Sequence, residues 1–97
     1  MFDKMKQLMD MQKKMQEIKR QLDAETFDMQ SSDGSVKITM NGSQDVKEVV
    51  ILAEMTQIDK LNLEKAIKDA YNRAIKRSHE LAAAKMKSVT GLNLPGL

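Results

Sequence analysis

Between Phe2 and Leu22 the apolar residues Leu8, Met11, Met15, Ile18 and Leu22 fall three, four, three and four apart, the period of a helix with one apolar seam. The spacing predicts a first helix over residues 1–22. With Leu8, Met15 and Leu22 at heptad position a and Met11 and Ile18 at d, Lys6, Lys13 and Arg20 share position f, turned away from the seam. The period then changes. Phe27 and Met29 alternate with Thr26, Asp28 and Gln30, and Val36, Ile38 and Met40 alternate with Lys37 and Thr39, as in half-buried strands. Ser31-Ser32-Asp33-Gly34 and Asn41-Gly42 have tight-turn composition, so residues 25–51 read as a three-stranded antiparallel meander. In its third run Val49, Val50 and Ile51 are consecutive, and Val49 and Ile51 are expected to face inward.

A turn or short helical piece is expected next, with Thr56 or Asp59 as its cap. Leu63, Ala66, Ile67, Ala70, Tyr71, Ala74, Ile75, Leu81, Ala82, Met86 and Val89 then predict a long helix over residues 59–89, with Lys65, Lys68, Asn72, Lys76, His79 and Lys87 on its other side. Gly91 is a plausible stop, leaving a tail over residues 91–97. The expected fold class is α+β, one domain with the order helix, three strands, helix. A six-residue strand spans ~20 Å, whereas these helices would run ~30 and ~40 Å, so both must overhang the sheet. The overhangs carry Met5, Leu8 and Met9 at one end and Met86 and Val89 at the other, and exposed apolar surface of this kind marks association. A two-fold homodimer is the simplest cover. Its expected interface is Leu8, Met11, Met15, Ile18, Met86 and Val89.

Charge adds what the net value of +2 hides. Residues 1–22 sum to +3, residues 23–59 to −6 and residues 60–97 to +5, so two basic flanks enclose an acidic middle. Such asymmetry points to a polyanion. Each phosphate of a duplex that is neutralised by Lys or Arg releases condensed counterions, which gives affinity without reading sequence. Lys6, Lys13 and Arg20 repeat every seven residues, Arg73, Lys76 and Arg77 form a cluster, and Lys85 and Lys87 follow. These eight are the candidate contacts to double-stranded DNA. Phe2, Phe27 and Tyr71 are the only aromatics and no RNP or zinc-finger pattern occurs, which disfavours base stacking and points to the duplex backbone.

Other chemistries are weakly supported. The chain has one His and no Cys, with no Gly-rich phosphate loop, metal-spaced ligand set or nucleophile elbow, so neither an enzyme nor a metal or other cofactor is expected. No small-molecule substrate is implied. The nine methionines fit core or dimer packing better than soft-metal capture. No signal-peptide core or membrane-spanning run is visible.

The string Gly34-Ser35-Val36-Lys37-Ile38-Thr39-Met40-Asn41-Gly42, with Val46, Val49 and Ile51 after it, resembles the central strands of the YbaB/EbfC family of bacterial nucleoid-associated proteins. Ala70-Tyr71-Asn72-Arg73-Ala74, Lys85-Met86-Lys87-Ser88-Val89, Leu94-Pro95-Gly96 and the Met/Gln/Lys-rich first helix are also similar to it, so the resemblance covers essentially the whole chain. It implies a homodimer whose long helices project like the arms of tweezers. It also implies DNA binding, commonly with little or modest sequence preference, and a role in nucleoid organisation or gene regulation in the bacterial cytoplasm. The family has no shared catalytic motif or cofactor. The competing expectation is a non-catalytic dimeric adaptor or chaperone-like module that uses the Met-rich helix as its groove. A membrane-surface helix is weaker, since Phe2 is the first helix's only aromatic anchor.

Overall fold

A computed structural model of the chain describes residues 2–90, with side chains for residues 3–88. The expected tail and the side chain of Val89 lie outside the described residues. The elements are α1 (Phe2–Ala24), β1 (Thr26–Gln30), β2 (Val36–Asn41), β3 (Val46–Ile51) and α2 (Lys60–Thr90). The strands form one antiparallel sheet in the order β1-β2-β3. The α+β architecture is the one expected from the sequence, and α1 runs two residues past Leu22.

The central strand supplies the core because its alternate residues all point to α2. Val36, Ile38 and Met40 are buried against Ala66, Ala70 and Ala74, with Phe27, Met29, Leu63 and Ile75 packed around them. Small residues four apart along α2 let its backbone lie close to the sheet. Ser78 continues that row, also fully buried, and its hydroxyl donates to the Asn41 carbonyl at 3.2 Å. Asp59, rather than Thr56, caps α2: its Oδ1 accepts from the Asn62 N–H at 2.8 Å, satisfying a backbone donor that has no partner within the helix.

The two turns use different devices. At the β1–β2 turn Gly34 takes a φ of +75°, while Asp33 Oδ1 accepts from the Ser31 hydroxyl at 2.6 Å, the Ser35 hydroxyl at 2.7 Å and the Ser35 N–H at 3.0 Å. At the β2–β3 turn the left-handed residue is Gln44, with φ 70°. Gly42 serves there by having no side chain. A Cβ at that position would lie 2.6 Å from Leu22 Cδ2 and 3.2 Å from Leu22 Cα, and the Gly42 N–H donates to the Leu22 carbonyl at 2.9 Å. The end of α1 is thus pressed onto the hairpin. Asn41, 1% exposed, secures it further, donating to the Asp23 carbonyl at 3.1 Å and accepting from the N–H groups of Ser43 and Asp45 at 2.9 Å each.

From this attachment the helices reach outward. The described chain measures 67 × 25 × 16 Å, against ~34 Å for the 23 residues of α1 and ~46 Å for the 31 of α2. Among the described side chains of α1 only Ile18 and Leu22 are buried, whereas Leu8, Met11 and Met15 on the same seam are exposed. Ile18, expected at a two-fold interface, is instead covered by its own chain at 3% exposure.

The expectation for β3 needs a correction of a different kind. Pairing places Ile51 opposite Val36, Val49 opposite Ile38 and Val46 opposite Met40, with an irregularity between Thr39 and Met40. Directly paired residues share a sheet face, so Val49 and Ile51 do point to the helix side. They are nevertheless exposed, as is Val46, because α2 lies over β1 and β2 and leaves the third strand bare.

Candidate nucleic-acid interface

Helical geometry sorts the residues of α2 into three rows. Ala66, Ala70, Ala74 and Ser78 form the buried row. On the flank beside Met29 of β1, a shallow groove is lined by Asp69, Asn72, Arg73, Lys76, Arg77 and Glu80. Directly away from the sheet stand Lys65, Lys68, Asn72, Lys76 and His79, three or four residues apart and all exposed. Asn72 and Lys76 border both outer rows.

The arginines of the groove are tied to carboxylates. Arg73 Nε is 3.1 Å from Asp69 Oδ1, and Arg77 Nη1 is 3.4 Å from Glu80 Oε2. Asp69 is itself fixed from the other side, accepting the Ser32 N–H at 2.7 Å. That backbone donor first, and the Arg73 guanidinium after it, hold the Asp69 carboxyl below the usual carboxylate range. It therefore stays ionised beside Arg73. Lys85, half-buried, sits 3.6 Å from Glu25, just before the start of β1. Lys87 is exposed near the end of α2.

The three candidate positions of α1 divide in the same way. Arg20 Nη2 meets Glu17 Oε1 at 2.5 Å, and that hydrogen bond holds the Glu17 carboxyl low and raises the guanidinium. Lys6 and Lys13 are exposed along the projecting part and make no ion pair among the described residues. The eight positions thus do not converge on one spot; they are strung along two rods. Four of them, Arg20, Arg73, Arg77 and Lys85, carry a carboxylate partner.

The apolar positions expected at an interface are scattered likewise. Leu8 is 70% exposed, Met11 52% and Met15 41%, and Met86 is half-buried. A second apolar surface was not expected from the sequence. It comprises Val46, Val49 and Ile51 of β3 with Leu52 and Met55, all exposed, together with Ile67 and Tyr71 on the flank of α2 away from Met29. The apolar run of β3 signalled a strand, while the lack of cover over Val46, Val49 and Ile51 follows from where α2 lies.

Two long helices with exposed lysines, projecting from a three-stranded antiparallel sheet, define the architectural class. Comparison with known proteins gives that class a family. The model of the YbaB/EbfC DNA-binding family matches residues 1–93, and the chain belongs to that family. It is 38% identical over 96 residues to a nucleoid-associated protein of Dictyoglomus turgidum, covering 97% of this chain and 92% of that one. With a nucleoid-associated protein of Ruminiclostridium cellulolyticum it shares 32% identity over 96 residues, covering 96% and 84%. The fold matches the crystal structure of an uncharacterized protein from Helicobacter pylori with a TM-score of 0.68 at 20% identity, over 88% of this chain and 98% of that one.

Proposed function

We propose that this protein, DNA-binding and nucleoid-associated by family, holds duplex DNA mainly through phosphate contacts from the solvent faces of its two long helices. The observation that carries this mode is the exposed, unpaired state of Lys6 and Lys13 on the overhanging part of α1, matched by lysines along the outer row of α2. A lysine ammonium with no carboxylate partner is free to replace a condensed counterion at a phosphate. Rods of ~34 and ~46 Å are long enough to follow a duplex through a full turn of ~34 Å. No pocket or metal is needed for this work, and the reading is of a non-enzymatic protein without cofactor or small-molecule substrate.

The working unit in this reading is a homodimer, which doubles every basic row and covers apolar surface that one chain leaves open. Leu8, Met11 and Met15 on α1 and the bare face of β3 are the surfaces a second copy would shelter. The proposed setting is the bacterial nucleoid; no helix among the described residues is long and apolar enough to cross a membrane.

A salt series tests the mode. Binding to two duplexes of unrelated sequence is followed by fluorescence anisotropy between 50 and 300 mM salt. Phosphate gripping predicts a steep log–log decline with the same slope for both duplexes. A shallow slope, or strong affinity for only one duplex, would point to base reading instead.

A further inference from the structure

The charges of α2 do not act as a single patch. Between Lys60 and Glu80 the helix carries Glu64, Asp69 and Glu80, and each meets a basic neighbour: Lys60 at 4.0 Å, Arg73 at 3.1 Å and Arg77 at 3.4 Å. The basic residues left over in that stretch are Lys65, Lys68 and Lys76, which make no ion pair among the described residues. All three fall on the outer row, opposite the buried alanines, and within that row the remaining positions are Asn72 and His79 rather than acids.

The groove arginines are poorly placed for a phosphate. To accept one, Arg73 would have to approach it beside Asp69, and Asp69 cannot swing aside while it holds the Ser32 N–H. A fixed carboxylate near the incoming anion opposes binding by like-charge repulsion. Arg73 also has a structural task, since Asp69 links α2 to the β1–β2 turn and Arg73 steadies that carboxylate. Lys65 lies near the same turn, along a shallow groove that includes Asp33 and Asp69, and is the least isolated of the three. Lys68 and Lys76 stand on the outer row eight residues apart, ~12 Å along the helix.

We propose that the duplex-facing row of α2 is Lys65, Lys68 and Lys76 with Asn72 between them, and that Arg73 and Arg77 serve the helix's own attachment and surface pairing. This rests on the DNA-binding reading above. Over the ~16 Å from Lys65 to Lys76 a duplex offers about nine phosphate charges, so each lysine has one in reach. The Asn72 amide, central in the row, can donate to a phosphate oxygen without adding charge.

The test compares two variants of the full chain in the same salt series. One is K65Q/K68Q/K76Q and the other R73Q/R77Q. Loss of three phosphate contacts lowers the salt slope by about 2.7 per bound protomer and weakens binding at least ~10-fold at low salt. The arginine variant is expected to keep the wild-type slope to within about one contact, with its defect in thermal stability. The lysines point to solvent, so an unchanged far-UV spectrum and melting temperature are expected for the triple variant. If the triple variant binds like wild type while wild type binds well, the lysine row is refuted and the DNA reading stands. If R73Q/R77Q carries the larger loss of slope, the groove is the contact and the assignment is overturned. Absence of wild-type binding even at 50 mM salt would sink the DNA reading itself, and this assignment with it.

Discussion

Ile18 and Leu22 are buried beneath the hairpin and α2, whereas Leu8, Met11 and Met15, placed on the same seam by the same spacing, stand in solvent. Sequence periodicity identifies which side chains need cover, and the geometry of the chain decides which receive it. Near its C-terminus α1 is fastened by the Gly42 contact and the Asn41 hydrogen bonds. Toward its N-terminus no other element among the described residues covers Leu8, Met11 or Met15. The sheet repeats the contrast: Val36, Ile38 and Met40 are covered, while their partners Ile51, Val49 and Val46 are not. In both places a covered row runs into an uncovered one, and a second copy is the economical cover for the latter.

The contrast can be broken from its covered side. Ile38, 1% exposed at the middle of the core, is expected to lose about 2–5 kcal/mol of stability on substitution by Ala, read by chemical denaturation. Val49→Ala, its bare partner across the sheet, should cost far less in the single chain. Equal losses would mean that β3 is covered after all. Gly42→Ala comes next. Its Cβ would meet Leu22 backbone as well as side chain, and an overpacking cost of about 1–3 kcal/mol is expected. Hydrogen exchange should then accelerate in α1 before it does in β2, and uniform acceleration would contradict the separate fastening of α1. Asp59→Ala removes the cap of α2 and should cost about 0.5–2 kcal/mol.

The smallest effect concerns acid. Hydrogen bonds from the Ser31 hydroxyl, and then from the Ser35 hydroxyl and N–H, depress the Asp33 carboxyl to about 2. A depressed folded-state value stabilises above the ordinary carboxylate range and loses that contribution as pH falls toward 2. Asp33→Asn should therefore show its full, constant deficit on the neutral plateau and flatten the acid limb of a stability–pH curve between about pH 4 and 2, where the deficit shrinks. An unchanged acid limb would remove Asp33 from the account.

Much of this molecule was legible beforehand for physical reasons. The 3.6-residue and two-residue periods separated helices from strands, and the Ser-Ser-Asp-Gly run marked a turn that truly needs a left-handed glycine. The second turn misled in detail. Asn41-Gly42 suggested the same device, yet the positive φ falls on Gln44 and Gly42 answers a close approach by Leu22. Choosing Asp59 over Thr56 as cap, or finding Val49 and Ile51 inward but bare, required knowing where α2 begins and which strands it crosses. The candidate interface was legible as basic residues on two helices. Their pairing was not, because each lysine and arginine of α2 from Lys60 to Arg77 has a carboxylate within four positions, Lys85 finds Glu25 far away in the chain, and only side-chain placement shows which pairs form.

The claim that a second copy covers the open seam is tested most directly by sedimentation velocity on the wild-type chain and on Met15→Asp at matched concentrations. The account predicts twice the 11.0 kDa chain mass for wild type and a shift toward single-chain mass for the variant, with helical content retained. A wild-type chain that stays monomeric at high concentration, its seam open to solvent, would contradict it.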